Sequence, residues 1–315
     1  MRKRELIGFC CVLAVLSASG GSAKARGEAP PDAHPDTHDS KRQPLSSSYL
    51  VREVVYNELH DHDSHGYWRF WIERHSDKGT QIHQEVETPD GPIARLESVN
   101  GQPVGREARE EEDRRLQRLL NSPSEQAQHR KDYTDDEKRI GRIVALLPDA
   151  FIYEPAILEP ASEQMPECAC YHMHFHPNPN YPAHSIEARI FHAMAGDLWI
   201  SVDQKRLVRL DAKLQDNVDF GYGFLGRLYK DGWFRLDRTH VGATDSGAGD
   251  WKTKRLEIHM AGRAMLFKTI ARETSEVRGG FERVPSGLSL EQAAAIVRQT
   301  GTAPSAQAAA LSTSR

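Results

Sequence analysis

Residues 196–214 read GDLWISVDQKRLVRLDAKL. Leu198, Ile200 and Val202 alternate with Trp199, Ser201 and Asp203. After the polar run Asp203-Gln204-Lys205-Arg206, Val208, Leu210, Ala212 and Leu214 alternate with Leu207, Arg209, Asp211 and Lys213. Successive side chains of a strand point to opposite faces, so this is a hairpin with one buried and one wet face.

The device recurs on both sides. Towards the N-terminus, strands are expected over Tyr49–Glu58, Tyr67–Arg74, Ile82–Thr88 and Ile93–Val99. Ser76-Asp77-Lys78-Gly79, Pro89-Asp90-Gly91 and Asn100-Gly101 supply the turns. Towards the C-terminus, Cys168–Phe175, Gly221–Tyr229, Trp233–Val241, Trp251–Met260 and Ala264–Glu273 continue the pattern, with Ala261-Gly262-Arg263 as the last turn. Ser185–Met194 is expected as a short helix. Between the two meanders the period changes. Arg106–Leu120 is a charged helix with Leu116, Leu119 and Leu120 as its apolar stripe. Thr134-Asp135-Asp136-Glu137 fits a capping box, after which Ile140, Ile143, Val144 and Leu147 share one helical face and Pro148 ends the helix. The expected fold is α+β and mainly antiparallel: one large sheet with a two-segment helical insert over about 104–147.

Residues 1–25 read as an export signal: basic Met1-Arg2-Lys3-Arg4, an apolar run Leu6–Ala18 and small residues at Gly21-Ser22-Ala23 and Ala23-Lys24-Ala25. The apolar run is shorter than the about 20 residues that span a bilayer. The expected location is therefore periplasmic or secreted, with no transmembrane span after signal removal. Residues 26–47, rich in Pro, Asp, His and Ser, read as a disordered linker, 48–285 as a single domain and 286–315 as a flexible tail. Lys+Arg 41 against Asp+Glu 45 leaves a net charge of −4, which offers nucleic acid no basic face. Of four cysteines, Cys10 and Cys11 leave with the signal.

The order of elements resembles the LolA/LolB-like proteins of outer-membrane lipoprotein sorting. The stretches that carry the likeness are Gly196–Asp203 followed by Arg206–Leu210, the helix end Leu146-Leu147-Pro148-Asp149-Ala150-Phe151, Phe175-His176-Pro177-Asn178-Pro179-Asn180-Tyr181, Phe220-Gly221-Tyr222-Gly223 and Gly262–Lys268. The chain is similar in these pieces to uncharacterised bacterial secreted proteins of that kind. The resemblance implies a strongly curved sheet, a half-barrel, whose concave face is closed by helices and holds a lipid, an acyl chain or a hydrophobic envelope partner. The long charged insert Arg106–Arg139 departs from the classical carriers. It also suggests a further alternative, a structural protein that docks through the insert.

One local constellation suggests chemistry. On a strand, Cys168, Cys170, His172, His174 and His176 fall on one face, and His-x-His can supply two zinc ligands. The third would come from a neighbouring strand, with His192, His240 and His259 as candidates, and the product would be a metal-dependent hydrolase. The competing reading is the polar face of an amphipathic strand, without cofactor. His60, His62 and His65 with Asp61 and Asp63 read as a solvated turn. No G-x-S-x-G, H-E-x-x-H or P-loop motif occurs, and the one G-x-G-x-x-G spelling, Gly221–Gly226, falls in the expected strand Gly221–Tyr229 instead of opening a helix, so it is no dinucleotide fingerprint. The sequence thus points to a binding module, ligand residues unassigned, rather than to an enzyme.

Overall fold

The computed structural model describes residues 46–61, 66–76, 79–162, 169–220, 226–242, 249–264 and 268–299. The chain is α+β, and the described pairings of its large sheet are antiparallel. The first element is a helix, α1 (Ser47–Leu59), where a strand was expected. Ser46 caps it by accepting the Tyr49 N–H, and Leu50, Val51, Val54 and Val55 are buried along one side. Those positions repeat with the helical period; the valines alone suggested a strand.

Strands β1 (Tyr67–Ser76), β2 (Gly79–Val86), β3 (Ile93–Val99) and β4 (Gln102–Pro103) form the first meander. Helices α2 (Arg106–Asn121) and α3 (Pro123–Ala150) follow. The insert has two segments as expected, but its second helix starts eleven residues before Thr134. Ser122 caps it and Pro123 occupies its first turn, where a missing N–H costs nothing, so Thr134 lies within the helix. Nor does Pro148 end it. The helix runs to Ala150, and its final carbonyls are satisfied from outside. Tyr153 Oη donates to Leu147 O, Asn178 Nδ2 to Asp149 O and Asn178 N–H to Ala150 O.

Strands β5 (Phe151–Tyr153), β6 (Ile157–Glu159) and β7 (Cys170–Pro177) lead to helix α4 (Ile186–Phe191). The hairpin β8 (Met194–Ser201) and β9 (Leu207–Leu214) comes next, then β10 (Val218–Phe220), β11 (Gly226–Leu228) and β12 (Trp233–Val241). The long strands β13 (Asp250–Ala264) and β14 (Lys268–Val284) precede helix α5 (Leu290–Gln299). Ala261-Gly262-Arg263 is therefore strand, not turn. Gly262 is there because β11 crosses it closely: a Cβ would sit 2.4 Å from Arg227 O. Helix α5 lies within the segment expected as a tail, over the weak helical pattern of Leu290–Val297, with Leu290, Ala293, Ala294 and Val297 buried.

The main strand order is β4-β3-β2-β1-β14-β13-β12-β9-β8-β7-β5. The two meanders join where β1 pairs with β14, and β4 and β5 stand at opposite ends of an open sheet. One face, here called inner, carries Met173, Phe175, Leu198, Ile200, Ala212, Leu214, Phe234, Leu256 and Ile258 into a core with Leu50, Val54, Ile143, Ile190 and Phe191 of α1, α3 and α4. On the other face α2 and α5 cover Val86, Ile93 and Val284 at the β1–β3 end. Helix α2 also protects the edge of β3: Arg115 donates to Ala94 O, and Glu112 accepts from Leu96 N–H. On an otherwise charged helix, Glu112 thus stands in for a missing strand.

The hairpin itself follows the expected alternation, with one slip. A bulge between Trp199 and Ile200 pairs Ile200 with Leu207 and Trp199 with Arg209. Val208 is the extra residue, and it is buried with Cys170 and Trp251 in a small cluster separate from the inner core.

Candidate functional site

Strand β7 places His172, His174 and His176 on the outer face, half-exposed, while Met173 and Phe175 enter the inner core. Cys170 shares the outer parity but is 1% exposed beneath Val208 and Trp251. Cys168 lies outside the described residues. His192, His240 and His259, considered as third ligands, are engaged elsewhere. His192 Nε2 lies 2.6 Å from Tyr181 O, His240 stacks on Trp251, and His259 stacks on Trp233. His176 Nδ1 faces Pro177 O.

The residue that joins the two central histidines is Asp197, directly opposite His174 on β8. Its Oδ1 lies 3.1 Å from His172 Nε2 and 3.3 Å from His174 Nδ1. Glu159 of β6 approaches from the other side, with Oε1 2.9 Å from His172 Nδ1 and Oε2 accepting the Trp199 indole N–H at 3.0 Å. The His172 ring stacks on Trp199 at 4.4 Å, and Arg209 lies over that indole at 5.2 Å. A neutral imidazole has one N–H, so His172 can donate to only one of its two carboxylates. Among the described residues no group of three His, Cys, Asp or Glu side chains is arranged to hold a metal ion.

Around this cluster the outer face of β8, β9, β12 and β13 is a charge ladder set by register. Asp197 faces Asp211, Arg235 faces Asp211 and Glu257, and Asp237 faces Arg209 and Arg255. Two aspartates directly opposite would repel. Arg209 and Arg235 each bind Asp211 at 2.8 Å, while the two histidines occupy Asp197. Gly196 makes the juxtaposition possible. A Cβ there would lie 2.0 Å from Asp211 O, so β8 and β9 approach more closely than any side chain would allow.

Charged groups also enter the inner side. Glu58, near the end of α1, binds Arg238 at 2.6 Å and Arg206 at 3.0 Å. Burial pushes its carboxyl up, but Arg238 and Arg206 outweigh that and hold it below the ordinary value. Further along, Glu276 binds Arg74 at 3.0 Å and Arg278 at 3.1 Å. Glu85, on the same face by register, is 5% exposed; burial raises its carboxyl to about 6, against the pull of Arg278 and Arg74. Burial lowers the neighbouring His83 to about 4, with Arg74 adding to the effect.

Apolar surface is concentrated elsewhere. Ile152, Ile157 and Leu158 on β5 and β6 are 43%, 64% and 61% exposed. Ile152 and Ile157 lie opposite His176 and His172 on the outer face and Leu158 opposite Tyr171 on the inner, at an edge that α1 also reaches, for Ser47 donates to Glu154 O between the two strands. The alternation of the sequence identified the outer face of β7. Asp197, Glu159 and this exposed edge carried no local signal, since each depends on register or on which strand comes last. No family model matches the chain, and no curated protein is significantly similar to it.

Proposed function

We propose that the protein is an exported, non-catalytic binding module of the LolA/LolB-like kind, with a sheet curved into a half-barrel. It takes a lipid, an acyl chain or an apolar segment of an envelope partner between the inner face and the layer of α1, α3 and α4. The observation that carries this reading is the apolar edge at β5 and β6. Leu158 stands opposite Tyr171, which packs against the inner core, and Ile152 and Ile157 continue the exposed apolar surface onto the outer side of the same edge. Exposed apolar residues clustered at one edge mark a contact surface more often than a scattered few would. An apolar chain entering there would pass from Leu158 and Tyr171 onto Phe151, Phe175 and Phe191, whose rings pack together at 4.8 and 5.2 Å.

The test is extraction of the protein purified from its native envelope, followed by mass spectrometry of the organic phase. A co-purifying lipid that is depleted in the double variant Ile157→Asp, Leu158→Asp supports the reading. Both side chains are exposed, so the variant should keep its fold. Lipid-free protein that binds neither fatty acid nor lipid vesicles would refute it.

A further inference from the structure

We propose that the open depression between β8, β9 and β12 on the outer face is a second binding site, for a neutral saccharide unit. Its cavity is about 280 Å³, floored by Ala195 and Gly196 and walled by His174, Asp197, Asp211, Lys213, Trp233 and Arg235. The register explains the hollow. Ala195 pairs with Lys213, which pairs with Trp233, so one small residue stands in a row of long ones. The site is on the face opposite the apolar layer and does not depend on it.

Three features select the ligand. Trp233 is 37% exposed and lines the hollow, while His259 stacks against it from the β13 side. An indole exposed in this way is a platform for a ring with an apolar face. Second, the charges balance: Asp197 and Asp211 stand against Lys213 and Arg235. They are also largely engaged within the protein, Lys213 with Asp231 at 2.8 Å and Arg235 with Asp211 at 2.8 Å. A cation or an anion would have to displace one of these partners, whereas a neutral ligand need not. Third, carboxylates can accept from hydroxyls, and Lys213, Arg235 and Gln215 can donate to hydroxyl and ring oxygens. A stacked ring bearing many hydroxyls satisfies all three. The volume falls just below the range of about 300–1,000 Å³ typical of drug-sized pockets, which favours one small ring over a long chain.

The experiment is calorimetric and fluorescence titration of the full exported chain. The probes are short neutral hexose and N-acetylhexosamine oligosaccharides, with a sulfated oligosaccharide and choline as charged counterparts. The expected result is saturable binding of at least one neutral oligosaccharide, weakened about tenfold or more by Trp233→Ala, as loss of an aromatic platform predicts. Ala195→Gln, which fills the floor without removing a core side chain, should weaken it too. Tyr56→Ala on α1, far from the hollow in sequence and 62% exposed, should leave it unchanged. Melting curves establish that each variant is folded. Binding of only the sulfated sugar or choline, binding that survives both site variants, or no saturable binding to any neutral probe overturns the proposal.

Discussion

Replacing Glu85 by Gln should stabilise the protein at neutral pH. The carboxyl is 5% exposed, and its value is raised from 4.5 to about 6, chiefly by burial, with Arg278 and Arg74 pulling the other way. Keeping it ionised in the fold therefore costs about 2 kcal/mol, at about 1.36 kcal/mol per pH decade. The sign follows from proton binding. Between pH 4.5 and 6 the native state holds a proton that the unfolded chain has lost, so this group's contribution falls as pH rises and stays low above 6. His83 acts in the opposite sense. Its value falls from 6.5 to about 4, so its contribution is fully present above 6.5 and is lost as pH falls through that window. In the natural protein the two slopes largely cancel between 4.5 and 6. Glu85→Gln removes one of them. Urea unfolding should show a gain approaching about 2 kcal/mol at pH 7.5, little change at pH 4, and a steeper rise of stability with pH in between. A gain that is equal at both pH values, or a loss at pH 7.5 larger than at pH 4, would show that Glu85 is held by its arginines and not penalised by burial.

Other consequences are equally direct. Gly196→Ala puts a Cβ 2.0 Å from Asp211 O and 2.8 Å from Ala212 Cα, both backbone, and should cost at least about 1–3 kcal/mol in thermal unfolding. Glu58→Ala leaves Arg206 and Arg238, 13% and 11% exposed, without their shared carboxylate, and should cost about 3–5 kcal/mol at pH 7. Because its carboxyl is held below 4.5, the wild-type advantage over that variant should shrink as pH falls through the lowered value, measurable by acid titration of the far-ultraviolet signal. Protein purified without a metal resin should carry substoichiometric zinc, and chelator should leave its melting temperature unchanged; a stoichiometric ion lost in His172→Gln, His174→Gln would install the hydrolase reading instead.

Much of the sheet could be read from alternation alone. Tyr67–Arg74, Ile93–Val99 and Trp233–Val241 fall within or on β1, β3 and β12. The departures have a common cause. Local signals report what a residue permits, and tertiary contacts choose among the options. Val51, Val54 and Val55 permit strand, but the inner face rewards the helical side that buries them with Leu50. Gly262 permits a turn, but β11 uses it for a close crossing. Thr134 permits a helix start, but Ser122-Pro123 had already supplied a better one.

The outer face shows where such reading stops. The pattern in 196–214 fixes which side chains share a face, because strand parity is local. It cannot fix which residue lies opposite which, because the partner strand arrives after a turn of unknown register. Asp197 meets Asp211, and not the residue beside it, only because the bulge at Val208 absorbs one residue of β9 and Gly196 lets the strands close. A slip of one residue would bring Asp197 opposite Leu210 or Ala212 and turn Arg209 and Lys213 inward. The same hairpin would then lose both its core and its row of charges. Core and candidate site are therefore coupled through one register, so a substitution such as Gly196→Ala should damage stability and outer-face binding together. Trp233→Ala, which leaves the register untouched, should damage the binding alone.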